Sequence, residues 1–283
     1  LHVTTGSQFP GSASVGSWVS YGLGTENQDM PSYMVIQDPR GAPVNGAQVW
    51  GNGYLPAAYQ GTLLRSKGTP ILNLALPRGL DRERQRGELN QLRWLNEKHF
   101  RDYPRLNELE ARIQSYELAY RMQTQAPELV DISKEPEHIH KLYGLDQKDT
   151  AGFGRQCLLA RRLAESGVRY TMLVHGVQIS ATSWDDHGDV KGRMIRHGRE
   201  VDQPVAALLT DLKQRDMLDE TLVIWASEMG RTPFKNGGVG NKPGRDHNKY
   251  GLVMWMAGGN VRGGATAGAT DDFSLRAAEE PIP

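Results

Sequence analysis

The apolar positions of this chain change their period as they run. Up to about residue 80 they come as short continuous runs, Met34-Val35-Ile36 and Ile71-Leu72-Asn73-Leu74, set in stretches rich in Gly, Ser, Pro and Asn. Short continuous runs bounded by turn residues predict buried strands joined by long loops. The glycines of Trp50-Gly51-Asn52-Gly53 predict turns or a close approach of backbones. From Asp81 to Gln125 the composition shifts to Arg, Glu, Gln and Leu, and the spacing becomes helical. Leu89, Leu92 and Leu95 make one stripe; Leu106, Leu109, Ile113, Tyr116 and Tyr120 make another. Pro104 divides them, and a proline costs a helix interior about 3 kcal/mol. The pattern therefore predicts a helical pair inserted over residues 81–125, broken near Tyr103-Pro104, with solvated charged faces.

From Thr150 onward the pattern alternates between the two periods. A helix through Phe153 to Glu165 stops at Ser166-Gly167, and the apolar run Tyr170 to Val174 follows. Next comes a helix with Val201, Val205, Leu208, Leu209 and Leu212 on one face, then strands over Thr221–Ala226 and Gly251–Ala257. Alternation of this kind predicts crossover connections and a parallel sheet covered on both faces. Pro204 either sits in the first turn behind an Asp202 cap or kinks the helix.

The 283 residues suffice for a core that is stable without disulfides. With 33 basic and 33 acidic side chains no net field recruits nucleic acid. Cys157 is the single cysteine, which excludes an internal disulfide and a multi-thiolate zinc site; its spacing with Phe153, Ala160 and Ala164 reads as a small core residue. No apolar run approaches the ~20 residues of a membrane span.

Three clusters of metal-ligand residue types lie next to the later strands: Trp184-Asp185-Asp186-His187, Glu228-Met229-Gly230-Arg231 and Gly244-Arg245-Asp246-His247. Loops at the carboxyl ends of parallel strands converge on one crevice, so these residues could share an ion. Asp185 and His187, two apart, point the same way in extended backbone, although Asp and His in loops also serve as caps. Asp186 and Asp189 read as exposed loop acids, and Trp184 as a packing anchor. Glu228 and Arg231 are read equally as a mutual ion pair or as a ligand beside an oxyanion-binding fork. The loop Gly237 to Gly244 lacks the Gly-Lys-Ser/Thr of a P-loop and leads into no helical pattern, so a nucleotide loop is rejected. Asp246 and His247 beyond it are candidate ligands. His99, His138, His140, His175 and His197 read as surface or core residues, His175 the least securely because it ends a strand.

Several ordered motifs then carry a resemblance. Gly16 to Gly24, Ala160-Arg161-Arg162-Leu163, Trp184-Asp185-Asp186-His187, Asp202-Gln203-Pro204, Leu208 to Leu212, Asp219 to Trp225, Glu228 to Pro233 and Gly244 to His247 resemble the domain-of-unknown-function 1501 family, over nearly the whole chain. That family is similar to the alkaline phosphatase and sulfatase superfamily. The resemblance implies an alkaline phosphatase-like α/β fold over residues 1–283, with a mostly parallel sheet, helices on both faces and the inserted helical pair. It implies one or two divalent ions (zinc, manganese, calcium or magnesium) held by Asp185, His187, Glu228, Asp246 and His247. Arg231 is the implied catalytic cation, and a small-molecule or polysaccharide phosphate or sulfate ester the implied substrate. Met229 stands where the superfamily has a histidine ligand. Thr5-Gly6 looks like the pair that follows the superfamily's nucleophile, and family members continue past the position of Pro283 into a further strand and helix, so the expectation is a fragment lacking both ends whose nucleophile precedes Leu1. A signal peptide upstream would make the parent exported or periplasmic. The alternative expectation is a non-catalytic binding protein that keeps the fold.

Overall fold

The computed structural model describes residues 1–65, 71, 76, 78–103, 107–177 and 183–279, with backbone only for 107–111 and 125. In chain order the helices are α1 (His2–Thr5), α2 (Val15–Leu23), α3 (Arg82–Asp102), α4 (Asn107–Val130), α5 (Glu137–Leu142), α6 (Ala151–Glu165) and α7 (Val190–Gln214). The longer strands are β1 (Tyr33–Ile36), β2 (Thr62–Leu64), β3 (Tyr170–Leu173) and β4 (Val223–Trp225). Short ladders follow: β5 (Gly230–Arg231), β6 (Gly238–Val239), β7 (Lys242–Pro243), β8 (His247–Asn248), β9 (Trp255–Ala257), β10 (Ala269–Thr270) and β11 (Ala277–Glu279).

The protein is mixed α/β around a small parallel sheet of order β2-β1-β3. The apolar run predicted at Met34–Ile36 is its central strand, and all four residues of β1 are buried, as a strand covered on both faces requires. Side-chain alternation divides that burial in two. Met34 and Ile36 join Leu64 and the helical layer of α4, α6 and α7. Tyr33 and Val35 face the other way, against Val49, Trp50 and Val174. On this second face α2 packs close: a Cβ on Gly16 would lie within 2.5 Å of the Tyr33 ring. Gly53 turns with φ 55°, and a side chain there would strike the backbone of residues 11–13, the close approach its neighbourhood predicted.

Helix α6 ends at Glu165 as expected, with Ser166 as cap and Gly167 at φ 84°. Cys157 is buried within it, and burial pushes its thiol well above the usual range, so it is inert packing. The helical pair forms as α3 and α4. Helix α3 buries no residue, whereas α4 runs to Val130, beyond the expected end at 125, because Met122, Ala126 and Val130 enter the core. Pro104 and most of the run Ile71-Leu72-Asn73-Leu74 lie outside the described residues; Ile71 packs on the core.

Two expectations are corrected here. Helix α7 begins at Val190 behind a left-handed Asp189, so Pro204 lies in its interior and Asp202 is no cap. Its buried stripe, His197, Val201, Pro204, Leu208 and Leu212, starts one turn earlier than the aliphatic pattern showed because its first member, His197, is polar. The strand β4 does not extend the parallel sheet. It pairs antiparallel with β9, Ile224 opposite Met256 and Trp225 opposite Trp255, since the chain between them returns through short hairpins and not through a helix. Among the described residues no helix is long and apolar enough to cross a membrane.

Candidate metal centre

Asp185 and His187 lie between β3 and α7, as the loop position predicted. Backbone bonds from Asp186 N to Trp184 O (3.0 Å) and from His187 N to Asp185 O (3.2 Å) coil the segment into successive tight turns. Neighbouring side chains then point oppositely. Asp185 and His187 face outward together, with His187 Nε2 2.9 Å from Asp185 Oδ1. Asp186 between them turns inward and is 2 % exposed, 3.4 Å from Arg193 Nη1. Reading it as an exposed acid was wrong, because in so short a turn burial alternates residue by residue. Asp189 is part-exposed, as expected, near Lys242.

The opposite wall is the β5–β8 ladder, which sets Arg231 directly across from His247. Directly paired residues share one face of a ladder, so both side chains reach the same point. Arg231 Nη2 lies 2.8 Å, and His247 Nε2 2.7 Å, from Asp185 Oδ1. The hairpin of β6 and β7 buttresses the first wall. A Cβ on Gly244 would overlap the His187 carbonyl, and one on Gly237 would lie 2.8 Å from it. Asp189 N donates to Lys242 O and Arg245 N to Asp186 O, both at 3.2 Å, which ties the hairpin to the ligand loop. Gly237, Gly238 and Gly244 thus serve contact between backbones, whereas Gly240 stands in open space.

One oxygen, Asp185 Oδ1, gathers two imidazoles and a guanidinium. Burial works against ionisation of this carboxyl, but the hydrogen bonds from His247 and Arg231, with the charges of Arg231 and His187, outweigh it and hold the pKa down to about 2. Asp185, His187 and His247 can each offer one ligand atom such that all lie within 4.8 Å of one another. Ligands about 2.1 Å from a shared ion sit roughly 3 Å or slightly more apart, so the observed spacing needs only a small opening. The donor set fits a divalent ion, and its two imidazoles favour zinc or manganese over calcium or magnesium. Exposures of 45 % for Asp185, 48 % for His187 and 40 % for His247 leave the centre open to an incoming ligand.

The other two expected ligands stand apart from this group. Asp246 accepts from His247 N and from Asn236 Nδ2, each at 2.8 Å, and lies 3.8 Å from His187 Nδ1, within charge range but too far for a hydrogen bond. Glu228 is exposed and is not among the converging residues. The mutual Glu228–Arg231 pair is not formed among the described residues: the guanidinium engages Asp185, Trp184 O at 3.1 Å and Arg245 O at 3.4 Å.

Sequence reasoning missed the polar set packed behind the centre. Asp38 and Arg40 follow β1, His175 follows β3, and His197 and Glu200 lie on α7. Asp38 is 1 % exposed, accepts from Gly176 N (2.8 Å) and pairs with Arg40 at 2.7 Å. His197 is fully buried and stacked on Trp184, ring centroids 4.3 Å apart. The one signal in the sequence was the place of His175 at the end of a strand.

Fold and site together define a mixed α/β protein with a candidate two-histidine, one-carboxylate centre at the carboxyl end of its sheet. The chain belongs to the family described as "Protein of unknown function (DUF1501)", whose model matches residues 1–283. No curated protein and no solved structure matches it.

Proposed function

We propose that this protein is a metal-dependent hydrolase of phosphate or sulfate esters, with an alkaline phosphatase-like, sulfatase-like architecture. The observation that carries the reading is the convergence of Asp185, His187 and His247 beside the Arg231 guanidinium. Bound at these three residues, a divalent ion would supply a Lewis acid that lowers the pKa of a coordinated water and polarises an ester oxygen. Asp185, His187 and His247 would hold it, with the Asp246 carboxylate adding negative charge beside His187. Arg231 now bonds the same oxygen that an ion would take. Ion binding and the guanidinium compete for Asp185 Oδ1, and the displaced planar fork is suited to the ester's anionic oxygens.

The test is hydrolysis of a panel of small and polysaccharide phosphate and sulfate esters with added Zn²⁺, Mn²⁺, Mg²⁺ or Ca²⁺. Turnover should depend on the ion and vanish in His187→Ala. Arg231→Met should lower kcat by roughly 10²–10³-fold, the loss typical when one charge-stabilising donor is removed. A protein that holds the ion yet hydrolyses nothing on the panel would overturn the reading in favour of a second one, a non-catalytic metal- or ligand-binding protein. Met229, which stands where the superfamily has a histidine ligand, and the pairing of Arg231 with Asp185 favour that alternative.

A further inference from the structure

We infer that Glu200 and His175 form a positioning pair that holds the Trp184 indole and thereby fixes the backbone from which Asp185 reaches the candidate centre; this rests on the metal-centre reading above. An indole N–H can only donate. That of Trp184 lies 2.9 Å from His175 Nδ1, so this nitrogen presents its lone pair and the ring proton resides on Nε2. His175 Nε2 is 3.0 Å from Glu200 Oε2, so the carboxylate faces the protonated edge of the ring and attracts it by charge. Donor and acceptor accounting thus leaves one tautomer, with the Nε2 proton on the side of Glu200. The Arg40 guanidinium, 3.3 Å from the same Nε2, makes no bond to it, since both atoms carry protons, and is engaged by Asp38 and Glu200 instead. Phe153 packs edge-on against the imidazole with ring centroids 4.9 Å apart.

The ring stack of Trp184 on His197 carries the same restraint to the backbone. His197 Nε2 lies 3.0 Å from Ser183 O, so the indole and the carbonyl preceding it are both tied to α7, at His197 and, through His175, at Glu200. Trp184 O in turn accepts from Arg231 Nη2, the same nitrogen that reaches Asp185 Oδ1. A rotation of Trp184 therefore moves the carboxylate and the guanidinium together. Glu200, His175 and Trp184 are not among the converging ligand residues, so they are positioning residues, and partners of this kind are worth about 10–100-fold in metal affinity.

The test is Co²⁺ titration of the 283-residue chain, read from the visible absorption of the bound ion. Trp184→Phe removes the indole N–H and keeps an aromatic ring; it should weaken Co²⁺ about 10-fold or more. His175→Ala should weaken it similarly, the double variant should lose little beyond either single one, and His175→Gln, whose amide oxygen can accept the indole proton, should recover part of the loss. A merely structural role would lower unfolding free energy and leave the affinity of the folded protein unchanged. If wild type binds Co²⁺ and His187→Ala does not, while Trp184→Phe and His175→Ala bind like wild type, the positioning pair is overturned and the centre stands. If wild type takes up no Co²⁺, the centre fails and the inference falls with it.

Discussion

Arg161→Ala should lower the unfolding free energy by about 3–5 kcal/mol in urea denaturation, the range found when one partner of a buried ion network is removed. Arg161 is 2 % exposed in the middle of α6. Its guanidinium lies 2.7 Å from Glu135 Oε2, 3.0 Å from Asp211 Oδ2 and 2.7 Å from Glu165 Oε2. The contacts to Glu135 and Asp211 are poorly aligned for hydrogen bonds, so Coulombic attraction dominates them. Burial alone would raise the Glu135 carboxyl, but the Arg161 and Arg162 guanidiniums beside it hold it below its usual range. Asp211, 2 % exposed at its side chain, also accepts from the Tyr143 hydroxyl at 3.0 Å. Removing Arg161 takes one cation from two largely buried carboxylates. Arg162 still pairs with Glu135, and Arg215 with Asp211 at 2.8 Å, which places the expected loss toward the lower end of the range. Arg161→Lys keeps the charge without the planar fork and should recover part of the stability. A loss under about 1 kcal/mol for Arg161→Ala would mean that the flanking arginines suffice, and that the buried pair is no stronger than a surface one.

The second large effect is acid sensitivity. Burial pushes the His175 imidazole down to about 4 from its ordinary 6.5; Glu200 and Asp38 act upward, and Arg40 and His197 downward. The unfolded chain binds a proton between these two values and the folded chain does not. Stability therefore falls as pH drops from 6.5 toward 4 and levels off below, by about 3 kcal/mol at full effect. His197, also lowered by burial and next by Arg196, acts in the same direction. Asp185, held at about 2, contributes in a separate and lower window, where stability disappears as pH falls from 3.8 toward 2. Unfolding free energies measured at intervals from pH 7 to 4 should show the slope in wild type and a shallower one in His175→Gln. Equal slopes would contradict the burial assigned to this ring.

What was legible in the sequence divides by how local its cause is. β1, α6 and the α3–α4 pair follow from short-range patterns: an apolar run between turns, or a helical stripe between a cap and a glycine or proline. The convergent trio was legible because Asp185 and His187 sit in a polar loop and His247 at the start of a two-residue strand beyond another, where a metal-ligand type has little else to explain it. Glu228 shared that signature but does not converge with them, since the direction of a side chain beyond a strand end depends on the turn, here closed by Ser227 Oγ on Met229 O at 3.2 Å. The antiparallel pairing of β4 with β9 is set by contacts distant in sequence, which no periodicity carries, and the burial of Asp186 by a turn geometry that its residue type does not announce. The polar set of His175, His197 and Glu200 stayed hidden for a related reason. Buried polar residues on α7 look solvated until the partners that satisfy them are brought beside them.

The central claim is that Asp185, His187 and His247 hold a common ion, and equilibrium dialysis against Zn²⁺ or Mn²⁺ tests it most directly. Wild type and Glu228→Ala should retain one ion per chain, while His187→Ala and His247→Ala should each lose it. Uptake that survives the double replacement of His187 and His247, or no uptake by wild type, would contradict the account.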